Sequence, residues 1–204
     1  MKQNCFVLIY LERLNNQMSK NFYISDTHFG HFNVIRFDNL PFNTTEEMDE
    51  TIIKNWNDRV SDEDVVYILG DFSWYKEEKT LEILKRLKGK KVLIRGNHDK
   101  LYPKVAKQFI KIADYLDIND NGTRVIMSHY PMPFWNGQFR DSVHLYGHVH
   151  TSHQWHMFES WIKESRQLQD IPMRAYNVGY MMDYMKFGPQ TLDNILAFAK
   201  EAKS

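Results

Sequence analysis

The run Lys-Val-Leu-Ile-Arg-Gly-Asn-His-Asp at residues 91–99 decides the fold. Its apolar, β-branched part leads into a glycine that is followed by an amide, an imidazole and a carboxylate side chain. This pattern predicts a buried strand that delivers polar side chains at its carboxyl end, where open α/β sheets place their chemistry. Four similar clusters follow other apolar runs: Asp26-Thr27-His28, Gly70-Asp71, Ser128-His129 and Gly147-His148-Val149-His150.

The first half of the chain alternates between predicted strands and helices. Periodicity predicts strands at 21–25, 65–69 and 91–94 and amphipathic helices at about 45–60 and 77–88. Thr44, with Glu47 three residues later, forms a capping box that marks the start of the first helix. A polar cluster follows every strand, so the clusters are expected to meet at one edge of a sheet.

The second half of the chain has a different pattern. Asn121-Gly122 is a strong hairpin-turn signal, and it separates two apolar arms. The predicted elements are a short helix at about 102–109, hairpin arms at 112–118 and 123–127, strands at 143–146 and 174–178, an aromatic-rich loop or helix at 153–171, and an amphipathic helix from residue 191.

Length and composition indicate one domain. The chain has 204 residues, of which 43% are apolar, enough for one sizeable core. Its 26 basic and 26 acidic residues balance, so we expect no strong non-specific binding of nucleic acid and no attraction to an anionic membrane. The single cysteine, Cys5, excludes an internal disulfide and fits a reducing compartment, so we expect a cytoplasmic protein.

The N-terminus carries an apolar run at residues 5–11. Seven residues are too few to span a bilayer, and no cleavage site follows, so we predict neither an anchor nor a secretory signal. Met18 stands just before the first predicted strand. We therefore assign the domain to residues 18–204 and expect residues 1–17 to be a disordered extension or a mis-assigned start.

The five clusters contain the side chains that bind divalent metals. Asp-x-His or His-x-His alone also fits an ordinary polar loop, but five such clusters in this order favour a single site. Two ions held side by side need a carboxylate between them to offset their repulsion. A mixture of imidazole, carboxylate and amide ligands favours manganese, iron or zinc over calcium or magnesium. We expect manganese first, with iron, zinc or nickel as alternatives.

Together these motifs resemble the signature of the calcineurin-like metallophosphoesterases. That signature is Asp-x-His, Gly-Asp, Gly-Asn-His-Asp or Glu, His, and Gly-His-x-His, and the match extends from about Asn21 to Val178. The family fold is α/β (α+β in some schemes), with two mixed β-sheets packed face to face and helices outside. The resemblance implies a metal-dependent phosphoric ester hydrolase with two divalent ions.

Carried over residue by residue, the resemblance implies seven metal ligands. One ion is expected on Asp26, His28, Asp71 and His150, and the second on Asp71, Asn97, His129 and His148, so that Asp71 bridges. The implied mechanism is in-line attack on phosphorus by a metal-bridging hydroxide. His98 would protonate the leaving oxygen as general acid, and Asp99 would orient its ring.

Residues beside the clusters bear on the substrate. His31 is a candidate to touch phosphate or orient a ligand, and Trp74 and Phe134-Trp135 are candidates either to stack a nucleobase or to pack as a lid. Protein phosphatases of this superfamily carry an arginine soon after Gly-Asp, whereas here Phe72 follows Asp71. The chain is more similar to small bacterial and phage members, for which we expect a phosphodiester of a nucleotide or cyclic nucleotide.

Three alternatives remain at this stage. The first is a phosphomonoesterase that acts on a small molecule. The second is a non-catalytic scaffold, since one retromer subunit uses this fold to bind protein, although such a scaffold would be expected to lose ligands or the acid. The third is a structural metalloprotein of unrelated fold, which is disfavoured because structural zinc sites are rich in thiolates.

Overall fold

A computed structural model of the protein describes residues 19–169 and 173–201. The expected extension at residues 1–17 lies outside the described residues, and the domain boundary at residue 18 stays a prediction. Within the described ranges, no helix combines the length and the apolar character needed to cross a membrane.

Nine strands, six α-helices and one short 3-10 helix (Gln138–Arg140) make up the described fold. The strands are β1 (Asn21–Ile24), β2 (Val65–Ile68), β3 (Lys90–Ile94), β4 (Phe109–Ala113), β5 (Tyr115–Asp120), β6 (Thr123–Ser128), β7 (Val143–Tyr146), β8 (Arg174–Asn177) and β9 (Gln190–Thr191). The helices are α1 (Phe32–Phe37), α2 (Thr45–Arg59), α3 (Glu77–Arg86), α4 (Pro103–Ala106), α5 (His153–Gln169) and α6 (Leu192–Glu201).

The strands form two mixed sheets. The first has the order β4-β3-β2-β1-β9, in which β1 to β4 run parallel and β9 is antiparallel. The second has the order β5-β6-β7-β8, in which β6 to β8 run parallel and β5 pairs antiparallel with β6 across the turn at Asn121 and Gly122. The predicted hairpin is therefore confirmed, as is the class of two mixed sheets flanked by helices.

One hydrophobic core joins the two sheets. It combines buried side chains of the first sheet, such as Ile24 and Ile68, with those of the second, such as Met127 and Leu145. A second hydrophobic cluster lies between the other face of the second sheet and α5, where Ile162 packs with residues that include Tyr146. The helices and sheets are therefore held by apolar burial on both faces of the second sheet.

The start of α2 follows the predicted capping pattern with one difference. The Thr44 hydroxyl accepts a hydrogen bond from the Glu47 backbone N–H at 3.1 Å. The Glu47 carboxylate, however, accepts from the Asn43 backbone N–H at 2.9 Å instead of that of Thr44. The apolar face predicted for this helix, Met48, Ile52, Ile53 and Trp56, is buried.

Several predicted boundaries are wrong. The segment predicted as one hairpin arm at 112–118 is two strands, β4 in the first sheet and β5 in the second, with the chain changing sheets at Asp114. The apolar residues at 110, 112, 116 and 118 keep the same two-residue phase on both sides of Asp114, so periodicity does not detect the change. The short helix ends at Ala106 instead of 109, and α3 ends at Arg86 instead of 88. Of the two alternatives for the segment from His153, loop or helix, the helix is confirmed.

A buried polar contact links the sheets at the edge away from the metal-binding motifs. The Tyr23 hydroxyl, on β1, donates to Asp120 Oδ2 at 2.7 Å, and the Asn21 side chain donates to Asp120 Oδ1 at 3.0 Å. Burial, together with the Asp120 carboxylate, raises the pKa of Tyr23, so the phenol stays protonated and donates.

We predict that Asp120→Ala lowers the free energy of unfolding by about 1–3 kcal/mol, because it leaves the buried Tyr23 hydroxyl without an acceptor. Urea unfolding would measure this. Tyr23→Phe is the matched control, and the double variant should cost less than the sum of the two single changes. Additive costs would show that the two side chains do not interact.

Candidate metal centre

The five motifs leave the carboxyl ends of parallel strands in both sheets. Asp26 follows β1, Asp71 follows β2 and Asn97 follows β3, while His129 follows β6 and His148 follows β7. Because β1, β2 and β3 run parallel, as do β6 and β7, each sheet delivers its polar residues at one edge.

The first group of ligand-type residues comprises Asp26, His28 and His150. One ligand atom from each lies within 4.8 Å of the others. The Nε2 atoms of His28 and His150 are 3.1 Å apart, and His150 Nε2 is 3.7 Å from Asp26 Oδ1. We call this group the first cluster.

The second cluster comprises Asp71, His129 and His148, again with one ligand atom from each within 4.8 Å of the others. His129 Nε2 lies 3.6 Å from Asp71 Oδ2 and 3.1 Å from Asn97 Oδ1. The Asn97 amide oxygen is therefore directed at the same place as the imidazole and the carboxylate.

Asp71 stands between the two clusters. Its Oδ2 atom is 3.6 Å from His129 Nε2 in the second cluster and 3.8 Å from His28 Nε2 in the first. A single carboxylate oxygen thus faces a ligand nitrogen of each cluster, as a bridging carboxylate would.

The spacing of the ligand atoms fits bound divalent ions. Two imidazole nitrogens that bind one ion at about 2.0–2.1 Å, with an N–metal–N angle between about 90° and about 109°, lie about 2.8–3.4 Å apart. The 3.1 Å separation of His28 Nε2 and His150 Nε2 falls in this range. Burial lowers the pKa of His28 to about 2, so this ring is neutral and able to ligate. The two clusters can therefore hold a dinuclear centre.

Hydrogen bonds orient two of the imidazoles. His129 Nδ1 is 2.7 Å from the Leu69 carbonyl oxygen, which can only accept, so Nδ1 carries the proton and Nε2 presents its lone pair to the second cluster. His150 Nδ1 is 2.7 Å from Asp38 Oδ2 in the same way. Such partners fix the tautomer of a metal-binding histidine and make it a stronger ligand.

Asp38 is a residue that sequence reasoning missed. It ends α1 and lies 112 positions from His150 in the chain, in a segment with a loop composition and no motif. Burial acts to lower the pKa of His150, but the Asp38 hydrogen bond and the nearby charges of Asp26, Asp38 and Asp71 outweigh it, and the pKa is raised. Only the folded chain brings these groups together.

The ligand-type residues share an unusual backbone conformation. Five of the seven predicted ligands have positive φ: Asp26 at 55°, His28 at 44°, Asp71 at 52°, His148 at 69° and His150 at 47°. Few residues other than glycine adopt this region, and it occurs mostly at functional sites, where the surrounding structure holds it. The backbone is thus shaped to direct these side chains into one space.

Two glycines allow the loops to approach each other. A Cβ atom at Gly96 would lie 2.2 Å from Asp71 Oδ1, and one at Gly147 would lie 1.7 Å from Ser25 Oγ and 2.4 Å from Asp26 Oδ2. Any side chain at either position would push an aspartate away from its cluster. The glycines of the Gly-Asn-His-Asp and Gly-His-x-His motifs are therefore required by packing.

His98 lies beside the clusters, and the hydrogen bonds of Asp99 go to backbone groups instead of the His98 ring. The Asp99 carboxylate accepts from the backbone N–H groups of Gly96, Asp71 and Phe72 at 2.8, 3.0 and 2.9 Å. Both oxygens are thus occupied by the backbone of the two neighbouring loops. Asp99 joins these loops, whereas the His98 ring packs against Trp74, with 4.5 Å between ring centroids.

The two predicted substrate residues lie together at the mouth of the site. His31 stacks on Trp74, with ring centroids 4.1 Å apart and planes 12° apart, and Trp74 is 44% exposed. The centroid of the Trp74 ring also lies 5.8 Å from that of His28, a member of the first cluster. The aromatic surface formed by His31 and Trp74 is therefore next to the first cluster.

Phe134 and Trp135 have separate environments. Trp135 is buried in the second hydrophobic cluster, and its indole N–H donates to Ser142 Oγ at 3.0 Å. It is a packing residue and cannot stack a base. Phe134 is 70% exposed and makes a T-shaped contact with Trp161, with ring centroids 5.7 Å apart.

Comparison with known proteins identifies the family. Residues 22–182 match the family model of calcineurin-like phosphoesterases, and the chain belongs to this family. It is 34% identical over 191 residues to the uncharacterized protein MJ1445 of Methanocaldococcus jannaschii, covering 91% of this chain and 94% of that protein. It is 30% identical over 162 residues to the Gene 66 protein of Mycobacterium phage D29, covering 66% and 80%.

A solved structure is similar over nearly the whole chain. The protein of unknown function AQ665 from Aquifex aeolicus has a TM-score of 0.67 and 26% identity, covering 89% of this chain and 100% of that chain. Family membership and the two clusters together define a metal-dependent phosphoester hydrolase.

We predict that Asp38→Ala weakens manganese or zinc binding by about 10- to 100-fold, because His150 loses the carboxylate that fixes its tautomer and basicity. Competition with a fluorescent chelator would measure the affinity. Asp62→Asn, at an exposed carboxylate in the turn before β2, is the control and should bind metal like the wild type. Wild-type affinity in Asp38→Ala would contradict the assignment.

Proposed function

We propose that this protein hydrolyses a phosphodiester, of a nucleotide or cyclic nucleotide, with two divalent metal ions. The observation that carries the proposal is Asp71 Oδ2, which lies between the two clusters at 3.8 Å from His28 Nε2 and 3.6 Å from His129 Nε2. In this proposal Asp26, His28, Asp71 and His150 hold one ion, and Asp71, Asn97, His129 and His148 hold the other.

The ions supply, when bound, a nucleophile from water at neutral pH and positive charge that offsets the phosphoryl oxygens. The protein's own residues then position the phosphoester and manage the proton of the leaving group. Manganese is the metal we propose first, with iron, zinc or nickel as alternatives, because the ligand set mixes imidazole with carboxylate and amide oxygens.

His98 is the proposed general acid. Its backbone N–H donates to Asp71 Oδ1 at 2.9 Å, so the same carboxylate that lies between the clusters also fixes the position of this residue. Its ring is exposed and packs against Trp74, which leaves it in contact with solvent as a source of protons. A positioned acid of this kind contributes about 10²- to 10⁴-fold in rate.

Two aromatic surfaces support a diester over a monoester. Trp74 contacts His28 of the first cluster, and Tyr130 contacts His148 of the second, with ring centroids 4.3 Å apart. A phosphodiester has two organic substituents, one for each surface, whereas a monoester has one. A cytoplasmic location stays a prediction, which rests on the single cysteine.

Hydrolysis of bis(p-nitrophenyl) phosphate beside p-nitrophenyl phosphate tests the proposal, after removal of metal and addition of manganese, iron, zinc, nickel or magnesium singly. We expect diester turnover that manganese restores. Preference for the monoester would change the assignment to a phosphatase. Bound metal with no turnover of either ester would refute catalysis and favour a scaffold.

We predict that His98→Ala keeps its metal and loses about 10²-fold or more in kcat on a diester with an alkoxide leaving group, but less than about tenfold with p-nitrophenolate, which leaves without protonation. Steady-state kinetics on the two esters would measure the difference. His156→Ala, at an exposed histidine of α5, is the control. Equal losses on both esters would exclude His98 as the acid.

A further inference from the structure

A cleft of about 460 Å³ opens beside the second cluster. Its lining includes His148, Tyr130, Gln154, Met157 and Phe158. His148 belongs both to this cleft and to the second cluster, so the cleft is continuous with the metal centre. Its volume is within the range of about 300–1,000 Å³ of small-ligand sites.

One wall of the cleft is the ring of Tyr130. This ring is 51% exposed and lies 4.3 Å from the His148 ring. Its hydroxyl donates to Asn97 Oδ1 at 3.3 Å, which fixes the ring relative to the second cluster. The wall is therefore an aromatic face whose position is set by two residues of the metal centre.

The other wall is one face of α5. Gln154, Met157 and Phe158 stand at positions i, i+3 and i+4 of the helix, which places them side by side. Phe158 is held by an edge contact with Tyr146 at 5.2 Å, whereas Met157 is 61% exposed. This face thus offers apolar surface together with one side-chain amide that both donates and accepts hydrogen bonds.

We propose that this cleft binds a nucleoside, as the substituent that stays on the phosphate when the phosphodiester is cleaved. The proposal rests on the proposed function. A nucleobase has planar faces that stack on an aromatic ring and polar edges that a glutamine amide can pair with. Tyr130, which follows His129 in the chain and contacts His148, supplies the aromatic ring, and Gln154 supplies the amide.

The position of His98 indicates which substituent occupies the cleft. The leaving oxygen must face His98, whose ring packs on Trp74, and Trp74 contacts the first cluster. The cleft adjoins His148 in the second cluster. The leaving group therefore lies toward Trp74 and the retained nucleoside toward Tyr130, which describes a linear ester of a nucleoside monophosphate.

The experiment varies the retained group while the leaving group stays the same. The p-nitrophenyl ester of thymidine 5′-monophosphate is compared with methyl p-nitrophenyl phosphate on the manganese-loaded protein. We expect kcat/KM to be about tenfold or more higher for the nucleotide ester, which corresponds to the stacking free energy of one base on an aromatic ring. A ratio near one in the wild type would overturn the proposal.

The double variant Gln154→Ala/Met157→Ala should lower this ratio by about two- to tenfold, because it removes the amide that pairs with the base edge and the apolar side chain beside it while the Tyr130 ring remains. Both residues are exposed, and alanine has a high helix propensity, so we expect the double variant to fold like the wild type. Leu168→Ala, an exposed apolar residue of the same helix outside the cleft lining, is the matched control and should keep the wild-type ratio. An unchanged ratio in the double variant would overturn the proposal.

Binding of thymidine 5′-monophosphate by calorimetry separates this proposal from the proposed function. The manganese-loaded wild type should bind it about two- to tenfold more tightly than the double variant, whether or not either ester is hydrolysed. Absence of turnover with this difference intact would refute the hydrolase and keep the nucleoside site. Equal affinities would refute the site even if both esters are hydrolysed.

Discussion

The arrangement of the whole site depends on the carboxylate of Asp71. Its Oδ2 atom faces both clusters, its Oδ1 atom accepts from the backbone N–H of His98, and its own backbone N–H donates to Asp99. These contacts tie the loops after β2 and β3 to each other. Gly96 is needed so that they can come this close, because a Cβ there would meet Asp71 Oδ1 at 2.2 Å. Asp71 thus connects the two clusters to the loop that carries the proposed acid.

Hydrogen bonds also join the two sheets beside the first cluster. The backbone N–H of His148, after β7, donates to Asp26, after β1, at 3.0 Å to Oδ2. The Ser25 N–H donates to the Val178 carbonyl at 2.8 Å, so strand ends of different sheets are joined directly. Parallel strands in each sheet deliver polar residues to one edge, and packing the sheets together brings the two edges into contact. The positive φ angles at five proposed ligands complete this convergence.

Much of the fold and of the candidate site could be predicted from the sequence, because the relevant signals are local. Each motif follows an apolar run, and the turn at Asn121 and Gly122 and the cap at Thr44 depend on a few neighbouring residues. The change of sheet at Asp114 has no local signal, because the same phase of apolar residues suits one strand or two. The burial of Trp135 against α5 leaves no local pattern either, so the sequence does not distinguish packing from stacking at this residue.

The contacts around the ligands could not be predicted for a related reason. Asp38 is hydrogen-bonded to His150, 112 positions away in the chain, and Asp99 accepts hydrogen bonds from the backbone of two loops instead of from its neighbour His98. These contacts depend on the geometry of the folded chain, because a buried carboxylate accepts hydrogen bonds from the donors that folding places near it. The cleft between Tyr130 and α5 is likewise formed by segments that are distant in the sequence.

The central claim is that two ions share Asp71, and anomalous diffraction from crystals of the manganese- or zinc-loaded protein tests it most directly. The account predicts two anomalous peaks, one at Asp26, His28 and His150 and one at Asn97, His129 and His148, with the Asp71 carboxylate in contact with both. A single peak, or two peaks without Asp71 between them, would contradict it.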